Sequence, residues 1–268
     1  MANKPELKPI IGIEPRTFPL RVCPTVEWCN ARAYCMAMPD ESLLAGLDPF
    51  DLLDRESERV YSHLKTGLDW SRQTRCEAWN TRDLLGHLMG LEDYVRANLD
   101  GRVEALMREA GADGVDGFNA WQIRSYADVP AGALVERWHD ANLSGRADLR
   151  ALGRDGVVDT SVGYYPSWLQ TFHFAVEYAT HGDDIFVHVD PADLAQRTLW
   201  RVIFGTFVLQ ELKKPVSVET SDEGAVVVTG QPGQLRLDYA DFVEATQGRL
   251  PAAHPLSPEW RRLLVSVP

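Results

Sequence analysis

His173, Glu177 and His181 recur at intervals of four residues in this 268-residue chain. One helical turn takes about 3.6 residues, so in a helix these three side chains leave the same face about a turn apart. Imidazole nitrogen and carboxylate oxygen suit zinc, nickel or a similar borderline cation, and two of the three could grip one ion. Three protein ligands in all would leave an open position for water or a thiolate. The remaining ligand must come from another segment. His87 is the best candidate, because it lies among Leu84, Leu85, Leu88, Leu91, Tyr94 and Val95, where an unpaired imidazole is costly.

A plainer reading stands beside this one. His87 can be a core histidine satisfied by one hydrogen bond, with Glu177 pairing to it, and charged residues four apart often form a solvated helix face. Against the solvated face stand the apolar neighbours Phe172, Phe174, Val176, Tyr178, Ile185 and Phe186, since a buried carboxylate needs a partner such as a metal.

The elements that must position these residues are legible as periodic segments. From Asp48 the residues Phe50, Leu53, Val60, Leu64 and Leu68 space as a first helix, with Arg55, Glu56 and Glu58 towards water. Asn80 or Thr81 caps a second helix, Asp83 favours its positive end, and Asp100-Gly101 closes it. Pro130 opens a third helix through Leu134, Trp138, Leu143 and Leu149, and residues 167–186 form the fourth, which carries the His-Glu-His series. Gly111 to Gly117 and Gly153 to Pro166 read as loops, and Cys76, like Cys23, Cys29 and Cys35, as a half-buried free thiol in preference to a metal or redox role. Beyond Asp190-Pro191 come a helix over 194–212, three short β-branched runs at 216–220, 225–229 and 235–239, and a short helix over 238–246. The tail from Pro251 is expected to pack back on the surface.

The domain organisation that follows is an N-terminal arm over residues 1–47, a helical bundle over 48–190 and a small α+β domain over 191–268. The arm carries Pro5, Pro9, Pro15, Pro19, Pro24 and Pro39 and the cysteines Cys23, Cys29 and Cys35, whose six-residue spacing lacks the Cys-x-x-Cys pairs of zinc knuckles. It is expected to lie extended on the main domain.

Apolar residues make up 45% and charged residues 25% of the chain, an ordinary globular composition. The formal net charge of −12 and the absence of a basic patch argue against nucleic acid as a partner. No apolar run approaches the roughly 18 to 20 residues of a membrane span, and Met1 to Pro9 lacks the apolar core of a signal peptide. The expectation is a cytoplasmic protein with no membrane partner.

The residues reach a known family at three places: Asp69-Trp70 with Thr74, the run Trp79-Asn80-Thr81-Arg82-Asp83-Leu84-Leu85-Gly86-His87-Leu88, and Glu177-Tyr178-Ala179-Thr180-His181-Gly182-Asp183-Asp184-Ile185. From residue 50 to about 250 the chain resembles the DinB-like superfamily, in its mycothiol-dependent maleylpyruvate isomerase branch. The resemblance implies a mainly α fold: a DinB-like four-helix bundle with a small C-terminal α+β domain, here with an extended N-terminal arm. It implies that His87, Glu177 and His181 are metal ligands. Gly248-Arg249 looks like the Gly-Arg pair of the family's C-terminal domain, which makes Arg249 a candidate catalytic residue holding a substrate carboxylate through its planar fork; a surface arginine is the alternative. Residues 1–47, the Gly111 to Gly117 loop and His173 depart from the family pattern. His173 can support a ligand from behind, act as an acid or base, or simply pack.

The function expected is that of an enzyme holding one divalent metal ion, zinc by ligand type, and using it to activate mycothiol or a similar thiol as cosubstrate. The thiolate then attacks a small electrophile, by S-transfer or by addition and elimination that isomerises an alkene, with transfer favoured. Trp121, Asn119, Tyr164 and Tyr165, read as lying on loops at the bundle mouth, are candidates to contact cosubstrate and substrate. The rival classes are a metal-dependent hydrolase of a small molecule, in which the open position activates water, and a non-catalytic metal- or ligand-binding bundle. Bundles of this type often pair, which leaves a homodimer open, although no interface pattern is legible.

Overall fold

A computed structural model describes residues 39–111, 114–221 and 224–266. The fold is mainly α, with a small α+β part towards the C-terminus. The described residues divide into two compact units, one over Asp48–His188 and one formed by residues 39–47 together with the chain from Val189 onward. Residues 1–38, with Cys23, Cys29 and Cys35, lie outside the described residues. The end of the expected arm, residues 39–47, contains the 3-10 turn Glu41–Leu44 and packs within the second unit against its first helix.

In the first unit, helix α1 (Pro49–Leu64) starts where Asp48 accepts from the amides of Phe50 at 2.9 Å and Asp51 at 3.3 Å, with proline at the first helical position. Helix α2 (Thr81–Asp100) begins at a reciprocal cap: Asn80 accepts from the Asp83 amide at 2.9 Å, and Asp83 accepts from the Asn80 amide at 3.1 Å. It ends at Gly101, whose φ of 65° is the left-handed closing conformation. Helix α5 (Ala131–Leu152) and helix α6 (Ser167–Asp184) complete the four-helix set. Helix α1 packs along α6 and α5, and α2 along α5. Helices α2 and α6 meet through long side chains, His87 with His181 and Glu92 with Tyr178.

Two stretches differ from their reading as loops. Gly111 closes a short helix α3 (Val103–Ala110), and residues 114–125 form helix α4 (Gly114–Ser125), which packs against α2. The glycines there punctuate two helices instead of opening a loop. Between α5 and α6 the chain makes a hairpin, β1 (Val157–Thr160) with β2 (Gly163–Pro166), pairing Val158 with Tyr165 and Asp159 with Tyr164.

In the second unit, helix α7 (Pro191–Glu211) precedes an antiparallel sheet of β3 (Val216–Ser221), β4 (Ala225–Gly230) and β5 (Gly233–Asp238), in that order, followed by helices α8 (Tyr239–Thr246) and α9 (Pro258–Leu264). Its core gathers Val202, Leu209, Val226, Val228, Leu237, Phe242, Trp260 and Leu264. The tail therefore supplies core residues: α9 buries Trp260 and Leu264 instead of lying on the surface, because its first turn is capped by Ser257 and begins with proline. Among the described residues no helix is long and apolar enough to cross a membrane.

Candidate metal centre

Helix α2 carries His87 on its buried face with Leu84, Leu85, Leu88 and Leu91, and the residue is 7% exposed. Such a ring needs a polar partner. Gln122 of α4, itself buried, places its amide oxygen 3.0 Å from His87 Nδ1. An oxygen can only accept, so His87 carries its proton on Nδ1 and keeps the lone pair on Nε2. Two glycines of α2 let α4 come this close. A Cβ on Gly90 would fall 2.4 Å from Gln122 Cγ, and one on Gly86 would fall 3.3 Å from the Ile123 backbone. Arg82 fixes the other end of α4 by donating to the carbonyls of Tyr126 and of Val129, the latter at 2.8 Å.

Helix α6 contributes Glu177 and His181, four residues apart, with Oε2 of the glutamate 3.2 Å from Nε2 of the histidine. Nδ1 of His181 lies 3.0 Å from Oδ2 of Asp184, a fully buried carboxylate that also accepts from Cys76 Sγ at 3.1 Å. Each histidine thus has its Nδ1 anchored to an acceptor, which is how metal-ligating imidazoles are commonly oriented. The two rings meet edge to face with centroids 4.8 Å apart, and the half-buried Trp79 lies 4.9 Å from His87 and 6.0 Å from His181.

One ligand atom from each of His87, Glu177 and His181 lies within 4.8 Å of the others. The 3.2 Å between Glu177 and His181 already matches the roughly 3.3 Å that separates neighbouring donors around a tetrahedral zinc with bonds of about 2.0 Å. Two neutral imidazoles and one carboxylate, on two helices tied down by their neighbours, fit a divalent cation with a position left open. Burial works against charging His181, but hydrogen bonds with Asp184, Cys76 and Glu177, together with the Glu177 charge, outweigh it and raise its pKa well above the ordinary histidine range. A proton between two carboxylates stands where a cation would, so proton and metal compete for this ring.

The other residues singled out from the sequence fall elsewhere. His173, one turn before Glu177, is half-buried with its ring 6.0 Å from that of Tyr165, and it is outside the three-ligand group. Trp121 and Asn119 are on helix α4 and not on a loop; Trp121 stacks on Phe118 at 5.7 Å. Tyr164 and Tyr165 are on strand β2, and Tyr164 is 61% exposed. Arg249 belongs to the second unit, just past Gly248, whose φ of 67° closes α8, and its amide donates to the Glu244 carbonyl at 2.8 Å. Gln122 was not singled out from the sequence, and Trp79 and Asp184 were named there only within motifs and Cys76 only as a thiol, without their contacts to the two histidines. The one signal available was the position of Asp184 three residues after His181 on the same helix face.

Residues 50–186 match the family model described as the mycothiol maleylpyruvate isomerase N-terminal domain, just over half of the chain. The chain belongs to this family. The matched region runs from the start of α1 to the end of α6 and includes His87, Glu177 and His181. No curated protein and no solved structure matches. Membership assigns the chain to a mycothiol-related, isomerase-like enzyme family.

Proposed function

We propose that the protein is a thiol-dependent transferase or isomerase that holds one divalent cation, zinc by donor type, between His87, Glu177 and His181. The observation that carries this reading is the convergence of the three donors within 4.8 Å, with both imidazoles anchored through Nδ1. Family membership suggests mycothiol as the cosubstrate. A cation bound there lowers the pKa of a thiol ligand, so that thiolate is available at neutral pH.

The chain's own residues then have distinct tasks. Gln122 and Asp184 hold the histidine tautomers that aim two lone pairs at one point. The side chain of Glu177 is 36% exposed and marks the side from which small molecules reach the centre. Trp79 covers the flank beside both imidazoles with an apolar ring, which excludes water and strengthens the electrostatics of the site. Arg249 is assigned a substrate carboxylate and His173 a proton transfer, while Trp121, Asn119 and Tyr164 are assigned contacts with thiol or substrate.

The test is turnover of a small conjugated cis-alkene acid with mycothiol present and absent. Stoichiometric loss of free thiol identifies transfer, and a trans product with thiol unchanged identifies isomerisation. Turnover that does not need thiol overturns the reading, and a product cleaved by water identifies metal-assisted hydrolysis.

A further inference from the structure

His181 has a second face. Its Nδ1, Oδ2 of Asp184 and Sγ of Cys76 form a cluster in which the aspartate oxygen lies 3.0 Å from the nitrogen and 3.1 Å from the sulfur. One ligand atom from each of Cys76, His181 and Asp184 lies within 4.8 Å of the others. The cluster is built on a fixed loop. Thr74 Oγ1 accepts from the Cys76 amide and donates to the Cys76 carbonyl, both at 3.1 Å, and Gln73 Nε2 donates to that carbonyl at 2.9 Å. The Arg75 amide donates to the Asp184 carbonyl at 3.0 Å, which ties the loop to the end of α6. Asp184 is fully buried, whereas Cys76 is partly open to solvent.

We propose that Cys76, His181 and Asp184 form a second cation site, selective for a thiophilic ion such as Cd2+ or Zn2+, which competes with the His87–Glu177–His181 centre for the one lone pair of His181. Sulfur, nitrogen and oxygen donors suit a soft or borderline tetrahedral ion, and the open side of Cys76 leaves room for a water as fourth ligand. Neighbouring donors around such an ion sit roughly 3.3 to 3.6 Å apart, so the two distances to the Asp184 oxygen have only to lengthen by a few tenths of an ångström. The ion replaces the two protons now shared with Asp184: the Cys76 S–H proton goes to water, the His181 Nδ1 proton moves by way of water to Nε2, and sulfur and nitrogen each give an electron pair to the ion.

A neutral imidazole has one lone pair. With Nδ1 on the ion, Nε2 of His181 keeps a proton and donates it to Glu177, so the first centre loses a ligand. Thiolate in the donor set makes this site the softer of the two, and the ring tautomer decides which is filled. The existence of this site rests on its own three residues; only its effect on turnover rests on the function proposed above.

The experiment is titration of the metal-free full-length chain with Cd2+, following the ultraviolet thiolate-to-metal charge-transfer band, in wild type, Cys76→Ser, Asp184→Asn and His87→Ala. Cys23, Cys29 and Cys35 are common to all four, so differences report Cys76 alone. Above the background common to all four, the expected result is a band component that saturates at about one ion per chain in wild type and His87→Ala, is missing from Cys76→Ser, and forms about 10-fold or more weakly in Asp184→Asn. Equal bands in wild type and Cys76→Ser overturn the proposal, even where His87→Ala loses zinc and so supports the first centre. A Cys76-dependent band beside zinc that is unchanged in a His87→Ala, Cys76→Ser double variant supports the second site and sinks the first.

Discussion

The amide oxygen of Gln122 sits 3.0 Å from Nδ1 of His87, and the contact exists because residue 90 has no side chain. A Cβ there would fall 2.4 Å from Cγ of Gln122. The orientation of one proposed ligand therefore depends on a glycine one turn further along its own helix and on a helix that donates no ligand.

Replacing Gln122 by leucine keeps the bulk and removes the acceptor. The ring of His87 then keeps a buried N–H without a partner from α4, and its tautomer is no longer fixed. Metal affinity, measured by competition with a chromophoric chelator, is expected to fall about 10- to 100-fold. Unchanged affinity means that Gln122 does not orient the ligand.

Gly90→Ala drives a methyl into Gln122. Overpacking of this kind costs about 1–3 kcal/mol, measurable as a lower urea midpoint with an unchanged slope. The same variant is expected to weaken metal binding, because the collision moves the amide that holds His87. A stability equal to wild type contradicts the close approach of α4 to α2.

Glu92 predicts a pH dependence of stability. It is fully buried between α2, α5 and α6, accepting from Asn142 at 2.9 Å and from the Tyr178 hydroxyl, which in turn accepts from Trp138 at 3.0 Å. Burial raises its pKa from 4.5 to about 7, only partly offset by the hydrogen bonds from Asn142 and Tyr178. A carboxyl whose folded pKa is raised favours the folded state in full below its unfolded pKa and loses that contribution as pH rises through the folded value. Between pH 4.5 and about pH 7 the loss is roughly 3 kcal/mol, because each tenfold change in an ionisation constant corresponds to about 1.4 kcal/mol. Chemical denaturation across this window is expected to show wild type losing stability relative to Glu92→Gln; parallel curves contradict a neutral Glu92.

The parts of this molecule that were legible in the sequence are those in which one helix carries its own signal. Leu84, Leu85, Leu88 and Leu91 mark the buried face of α2, Asn80 and Gly101 mark its ends, and the four-residue spacing of Glu177 and His181 is a property of α6 alone. Gln122 was not legible, because it reaches His87 through the missing side chains of Gly86 and Gly90, and hydrophobic periodicity does not register an absence. Helix α4 was hidden for a related reason: it holds Gly114 and Gly117 and buries only Phe118 and Gln122, too little for an apolar stripe. The hairpin β1–β2 has strands of four residues, too short for alternation to stand out. Asp184 was visible as a residue, but its role depends on which nitrogen of His181 carries the proton, and that follows only from the fold.

The central claim is that His87, Glu177 and His181 hold one metal ion. Elemental analysis of protein purified without chelators or a metal-binding tag tests it most directly, on wild type and, with Cys76→Ser also present so that the second site cannot refill, on His87→Ala and Glu177→Ala. The account predicts about one zinc per wild-type chain and a large loss in both variants, with circular dichroism showing that the helices remain. Metal that persists in both folded variants, or is absent from wild type even after incubation with zinc, contradicts it.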